Sequence, residues 1–441
     1  MAQQPIILQL PATDGKLITS SLEGGFSYNH DYPQFSLGFH YFLHQNIDKL
    51  DLKPFEGKKP VYRVINPYET SIDEHDSDID HLAKVYFSVG PKPGVVDRSF
   101  YKLWEMNLRF GLVDPSVSGF KSVHLADGPG GFLQSTLMFR EMFAKGFKSD
   151  QYYGITLHKE VGSLVPPIND KLAKYYKQIK ISPTYSKSQS GGDPNRHNGD
   201  LTQLKTIRLL GGAIGGGAHL VTGNGGVNWK TDSEILREQE GMKLILGQIV
   251  AALTVQGRGG HLVLRFYETY TRTTLKLLNL LNDCYKVCFI CKPLMSRPTD
   301  VERYFIGKQF KLDEKARAKV VTRLAKIMSR LENPRENLVD LAPSMRVAKE
   351  FKTAVTIANT QISTQQYMKI NDTVAFIKSN NYYGDTYQDS RDAQIKATKL
   401  WVDEFFVSKA KLTPQLKQLE TDTKNSIGKN KDLVEDLFNR L

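Results

Sequence analysis

The sequence predicts an α/β fold: a mostly parallel sheet covered by helices on both faces, with its last strand antiparallel. An N-terminal extension precedes this unit and a mostly helical region follows it. Three observations carry the prediction. Short apolar runs alternate with helical patterns from Asp97 to about Gln309. The first of these runs is broken by four residues rich in glycine and then passes into a helix. After Lys311 the composition shifts to long, charged, helical stretches. The chain therefore divides into 1–96, mixed; 97–310, the α/β unit; and 311–441, mostly helical.

Within the first region, Phe35 to Leu50 includes a helical pattern and Val61 to Ile65 has the β-branched character of a strand. From Arg98 to Phe110 the spacing is helical. Val123 to Ala126 is a short strand, Phe132 to Phe143 a helix and Tyr152 to Leu157 a second strand. A polar stretch from Ser186 to Gly199 reads as a loop, and so does the glycine run Gly211 to Gly217. Ala218 to Thr222 is a further strand. Thr231 to Val255 predicts a long helix, because Thr231 and Glu234 form a capping box and Ile235, Met242, Ile245, Ile249 and Leu253 form an apolar stripe. Gly259 to Phe266 is a strand and Thr273 to Leu281 a helix. Tyr285 to Cys291 and Arg303 to Gly307 are two final strands with no helix between them, which makes that pair antiparallel. Lys311 to Leu331 and residues 350–410 are helical, with a break at Asn380 to Gly384.

The 441 residues carry a net charge of +12 and a pI of about 9.2. A basic surface attracts polyanions, RNA among them, although +12 over this length also describes an ordinary solvated face. Cys284, Cys288 and Cys291 are the only cysteines. They lie in or beside an apolar strand with no histidine or fourth cysteine near them. This predicts buried, reduced thiols and no metal. The N-terminus has no basic leader, and no run approaches a membrane span. The expected location is cytoplasmic, with no membrane partner.

The turn Asp127, Gly128, Pro129, Gly130, Gly131, Phe132 is neither the dinucleotide fingerprint G-x-G-x-x-G nor a phosphate-binding P-loop. A glycine turn between strand and helix lets a ligand approach the backbone, and the helix N-terminus favours polar or anionic groups. Taken alone it is as much a tight structural turn as a site. Five further segments follow it in order. They are Gly154 to Leu157, Gly199 to Thr202, Val221 to Gly226, Gly259 to Arg265, and Lys292 to Pro298 with Glu302, Arg303 and Tyr304. Together they resemble the FtsJ-like RNA methyltransferases, in particular the cap-specific 2′-O-methyltransferases, over Asp97 to Gln309. The resemblance implies a Rossmann-like S-adenosylmethionine-dependent methyltransferase sheet. It implies a cofactor site of Asp127 to Phe132, Thr156, Leu157, Asp200 and Leu201. The implied substrate is capped mRNA, methylated on its first transcribed nucleotide.

Such enzymes use a Lys-Asp-Lys-Glu tetrad to prepare a ribose hydroxyl. Carried over by position, the tetrad reads Lys102, Asn224, Arg265 and Glu302. Two positions depart from the pattern, and His124 stands where an acid usually ends the first strand, with Asp127 three residues on as a substitute. Arginine stays protonated, so Arg265 accepts no hydroxyl proton but can hold a phosphate or orient a ribose. Lysine serves as a base when burial and neighbouring charge lower its pKa, which leaves Lys102 for that role. Two readings therefore stand side by side: a cap 2′-O-methyltransferase, and a methyltransferase-like RNA-binding or structural subunit without catalysis, with protein partners on the C-terminal helices. Each site residue also has a purely structural reading. Lys102 is then a solvated helix charge, Glu302 a surface pair with Arg297 or Arg303, Asn224 a turn residue, Arg265 an exposed strand end and Asp200 a turn cap.

Overall fold

In the computed structural model the described residues are 4–19, 22–35, 37–47, 61–70, 78–90, 92–158, 165–182, 198–227, 234–379 and 384–440. The N-terminal region contributes β1 (Ile6–Gln9), α1 (Lys16–Thr19), β2 (Gly24–Ser27), α2 (Leu37–Ile47), α3 (Val61–Val64) and α4 (Ile79–Tyr86). The central region continues with α5 (Ser99–Phe110), β3 (Lys121–Leu125), α6 (Gly131–Phe143), β4 (Gln151–Ile155), α7 (Asp170–Tyr175) and β5 (Ile179–Ser182). Next come α8 (Leu204–Ile214), β6 (Ala218–Gly223), α9 (Arg237–Val255), β7 (Gln256–Phe266), α10 (Arg272–Cys284), β8 (Tyr285–Lys292) and β9 (Arg303–Phe310). The last part holds α11 (Glu314–Arg330), β10 (Asn337–Leu341), α12 (Lys349–Ser379), α13 (Asp385–Phe405) and α14 (Leu412–Arg440).

The main sheet has eight strands in the order β1-β8-β9-β7-β6-β3-β4-β5. The pairs among β5, β4, β3, β6 and β7 are parallel. β9 enters antiparallel between β7 and β8, as the absence of a helix between the last two strands predicts. β1 adds an antiparallel edge against β8, so the N-terminal region contributes directly to this sheet. A separate two-stranded sheet pairs β2 with β10.

Period-two alternation sorts the strand residues to two faces. Val221, Leu262, Leu264, Ile290 and Phe305 pack with α8 to α11 and the first half of α12. Leu220, Val263, Phe289, Cys291, Tyr304 and Ile306 pack with α4 to α6. The C-terminal helices join this second core: Trp401 and Phe405 of α13 and Leu419 of α14 are fully buried in it. Trp104 Nε1 donates to the Phe405 carbonyl at 2.9 Å and Tyr86 OH to the Val407 carbonyl at 2.7 Å. The three cysteines are free and buried, as their strand setting predicts.

Some expectations are corrected. Val61–Val64 is a short helix, not a strand. Val64 is buried and packs with Phe376, and Gln394 Nε2 donates to the Arg63 and Asn66 carbonyls, so tertiary contacts override β propensity here. Gly211 and Gly212 lie inside α8 rather than in a loop; a Cβ on Gly211 would stand 2.7 Å from the Thr254 methyl of α9. The long helix α9 begins at Arg237 after a single 3₁₀ turn at Glu234–Leu236. Its stripe of Met242, Ile245, Ile249 and Leu253 is buried, but Ile235 is exposed. Thr231 of the expected capping box, residues 186–197 of the expected loop and the break at 380–383 lie outside the described residues.

His124 sits within β3 and is fully buried. It pairs with Thr222 in register, and its ring nitrogens contact Thr222 Oγ1 at 2.8 Å and Ser122 Oγ at 2.9 Å. Burial drives its pKa from 6.5 down to about 3. The folded state then excludes a proton that the unfolded chain binds, so stability is present above pH 6.5 and is lost as pH falls toward 3. One pKa unit is worth about 1.4 kcal/mol. Going from neutral to about pH 5, wild type should lose about 2 kcal/mol more than His124→Gln in urea denaturation. Equal losses would show that His124 is not held neutral.

Candidate active site

The parallel strands deliver their C-terminal ends to one edge, where ligands bind in open α/β sheets. That edge carries Ala126 to Gly130 after β3, Thr156 and Leu157 after β4, Asn224 after β6, and Arg265 near the end of β7. Register explains the centre of the site. Arg265 pairs with Tyr304 across β7 and β9. Glu302 lies two residues before Tyr304, so alternation places it on the same side. α5 packs on that side and presents Lys102.

Glu302 is the hub, with 1% of its surface exposed. Oε1 accepts from Lys102 Nζ in a short ion pair and from Ser296 Oγ at 2.8 Å. Oε2 pairs with Arg265 Nη2 at 3.1 Å and accepts from Tyr304 OH at 3.3 Å. Lys292 Nζ donates to the Glu302 carbonyl at 3.3 Å. Burial opposes the charge on Glu302, but Lys102, Arg265 and Lys292 outweigh it and hold the carboxyl far below its usual range. Lys102 moves the other way: burial lowers its pKa from 10.5, Arg265 and Arg98 add to that, and Glu302 offsets only part. Arg265 is pushed upward, since burial is outweighed by Glu302, and remains a fixed cation. Its guanidinium lies 4.6 Å from the Tyr267 ring centroid. Tyr267 OH in turn donates to the Gly225 carbonyl at 3.2 Å, and the Gly225 amide donates to Gln248 Oε1 at 3.0 Å. The loop after β6 is thereby tied to Arg265.

A buried frame positions these groups. Glu105 of α5 accepts the amides of Leu294 at 2.9 Å and Met295 at 3.2 Å, together with Trp401 Nε1 of α13 at 3.3 Å. Arg98 donates to the Met295 carbonyl at 2.9 Å and pairs with Glu69 at 2.7 Å; Glu69 also pairs with Arg297 at 3.2 Å. Both clamps fix the segment that carries Ser296 to the helix that carries Lys102. Lys292, Ser296, Tyr267, Tyr304 and Glu105 were missed as individual site residues. The Lys292 to Tyr304 motif contained Lys292, Ser296 and Tyr304, whereas nothing in it pointed to Tyr267 or Glu105.

At the glycine turn after β3, Gly130 adopts φ +110°, and a Cβ on Gly128 would collide with the Pro166 carbonyl. Both positions require glycine. The Pro129 carbonyl accepts from the Asn169 amide at 2.9 Å, Gly131 opens α6, and Phe132 is fully buried. Asp127 turns inward, accepting the amides of Phe132 at 3.2 Å and Leu133 at 2.8 Å. Burial pushes its carboxyl up to about 8, against the pull of those amides and of Asn224. Asp200 accepts from Thr202 and Gln203, so it caps its own turn, and Leu201 is a core residue. Thr156 is buried with its hydroxyl 3.4 Å from the Pro166 carbonyl, and Leu157 is half-buried.

Three of the four tetrad positions therefore meet at Glu302. The solvated reading of Lys102 and the surface-pair reading of Glu302 are both replaced: Lys102 is 9% exposed, and the neighbours Arg297 and Arg303 have other partners. Asn224 sits nearer Asp127; among the described residues its buried Oδ1 has no hydrogen-bond partner, and neither does Arg265 Nε. Both are available to a ligand.

Residues 95–310 match the family model described as FtsJ-like methyltransferase. This segment is similar to the FtsJ-like methyltransferases. The chain is 27% identical over 340 residues to the cap-specific mRNA (nucleoside-2′-O-)-methyltransferase 1 of Mus musculus, covering 74% of this chain and 38% of that protein. It is 31% identical over 290 residues to the protein of the same name from Dictyostelium discoideum, covering 60% of this chain and 36% of that one. It is 30% identical over 192 residues to that from Bos taurus, covering 42% and 21%. The chain thus spans well under half the length of these relatives.

For this FtsJ-like site, a buried charge that loses its partner is costly. Glu302→Gln leaves Lys102 and Arg265 uncompensated and should destabilise the protein by about 3–5 kcal/mol in urea denaturation. Adding Lys102→Met should recover part of that loss. A single variant as stable as wild type would show that the cluster is not a coupled unit.

Proposed function

We propose that the chain is an S-adenosylmethionine-dependent methyltransferase acting on a ribose 2′-hydroxyl of RNA, specifically the first transcribed nucleotide of capped mRNA. One observation carries this reading: a buried lysine with a lowered pKa is ion-paired to a carboxylate that also holds a permanent cation, at the ligand-binding edge of an FtsJ-like sheet.

When bound, S-adenosylmethionine supplies an electrophilic methyl group. The glycine turn Gly128 to Gly131, with Thr156, Leu157 and Asp200, would hold it, while Asp127, Phe132 and Leu201 face the interior and support the turn. The unpartnered Asn224 oxygen fits a cofactor ammonium or a ribose hydroxyl, each a donor it lacks. Lys102 accepts the ribose hydroxyl proton on Nζ as the oxygen becomes nucleophilic, a role that its lowered pKa supports. Glu302 holds the lysine in place and stabilises the ammonium it becomes. Arg265 keeps its proton, so it orients the ribose or a flanking phosphate through its free Nε–H. The net charge of +12 favours an RNA partner.

The fixed charge of Arg265 and the neutral amide of Asn224 favour a second reading, an RNA-binding subunit without transfer. One experiment separates the two. Full-length protein is incubated with RNA carrying an unmethylated first ribose and labelled S-adenosylmethionine. Label should appear on that ribose and fall by at least about 100-fold in Lys102→Ala. Transfer should rise with pH to a plateau whose inflection lies below 10.5, because only neutral Lys102 accepts the proton. RNA binding without label would favour the second reading, most strongly if Arg265→Lys with Asn224→Asp produced transfer.

A further inference from the structure

α2 brings His40 and His44 one helical turn apart on one face. Both rings meet Glu268, in the turn after β7, three residues beyond Arg265. The three side chains are buried, at 5%, 9% and 3% exposure. His40 Nε2 lies 3.4 Å from Glu268 Oε2, and His44 Nε2 lies 3.4 Å from Glu268 Oε1. The two Nε2 atoms are 3.1 Å from each other.

Hydrogens alone explain this triangle poorly. Each Nε2 carries at most one hydrogen, which gives two hydrogens for three edges. Charging both rings would set two imidazoliums 3.1 Å apart in a buried site. Among the described residues, Glu268 Oε1 has no hydrogen bond of good geometry despite its burial. A cation at the centre removes each difficulty, since it takes a lone pair from each nitrogen and from the carboxylate. The dimensions agree as well. Tetrahedral zinc with ligands at about 2.0–2.2 Å separates its ligand atoms by roughly 3.3–3.6 Å; the two 3.4 Å edges match this and the 3.1 Å edge is slightly shorter.

The geometry points to a divalent transition-metal site formed by His40, His44 and Glu268, with zinc as its occupant and one position left for water. Imidazole donors select zinc over magnesium or calcium, which prefer all-oxygen shells. The metal clips the N-terminal helix α2 to the turn that follows Arg265. The same turn is already held by Tyr270, whose ring meets His40 edge-on at 5.0 Å and whose hydroxyl contacts Ser363 of α12 at 2.6 Å. The site therefore pins three separate segments of the chain together at the active edge, whether or not methyl transfer occurs there.

The test uses the untagged full-length chain, stripped by chelator, reloaded with zinc chloride, desalted and analysed for metal. Wild type and the exposed-site control His30→Ala should retain one zinc per chain. Glu268→Gln and His44→Ala should bind it at least about tenfold more weakly. Chelator should lower the melting temperature of wild type and leave that of Glu268→Gln unchanged. Should the variants fail to fold, cobalt(II) loaded into wild type provides the second readout, as the intense visible absorption of a tetrahedral site. Zinc retention no greater than in His44→Ala, or cobalt with only the weak spectrum of the hydrated ion, would overturn the proposal and leave a hydrogen-bonded cluster.

Discussion

The buried carboxylate of Glu302 is the constraint on which the active edge depends. A carboxylate that is 1% exposed requires counter-charge, and here it draws Lys102 from α5 and Arg265 from β7 to the same point. These residues come from elements far apart in sequence, so the ion cluster reports the whole arrangement of helix on sheet. It also divides the chemistry. The lysine, pressed by burial and two cations, moves toward neutrality, whereas the arginine stays charged. One cluster thereby contains both a proton acceptor and a permanent anchor.

The C-terminal helices serve the same edge. Glu105, which fixes the Leu294 and Met295 amides, is itself held by Trp401 of α13. Arg109, one turn along α5, pairs with Glu404 at 3.0 Å. These contacts make the helical region a continuation of the methyltransferase core. On the opposite face, α12 reaches the turn after β7 through Asn359, which bonds Thr269 and Arg303. A disturbance in either helix would reach the site through a short chain of buried hydrogen bonds.

Much of this was legible in the sequence, for identifiable reasons. Strand β9 was placed antiparallel because nothing between Lys292 and Arg303 has room for a crossover helix. Short apolar runs alternating with helical patterns predicted a sheet covered on both faces. Helical spacing alone would have left Lys102 as a solvent-facing charge, and only the family pattern singled it out. Val61–Val64 misled because its residues favour a strand while Phe376 and Gln394 hold it as a helical turn. Strand β5 and helix α7 are short, and their sequence carries little periodicity to read. The inward turn of Asp127 and the triangle of His40, His44 and Glu268 depend on contacts that no local window contains.

The central claim is that the Glu302 cluster holds Lys102 partly deprotonated, and direct titration of that amine tests it. Nitrogen NMR of protein labelled with ¹⁵N-lysine, with Lys102→Arg to assign the signal, follows Nζ across the alkaline range. The Nζ midpoint should lie clearly below the 10.5 of an ordinary lysine and move lower still in Glu302→Gln, where the compensating charge is gone. A midpoint at or above 10.5 in wild type would mean that the carboxylate outweighs burial, and would contradict the role assigned to Lys102.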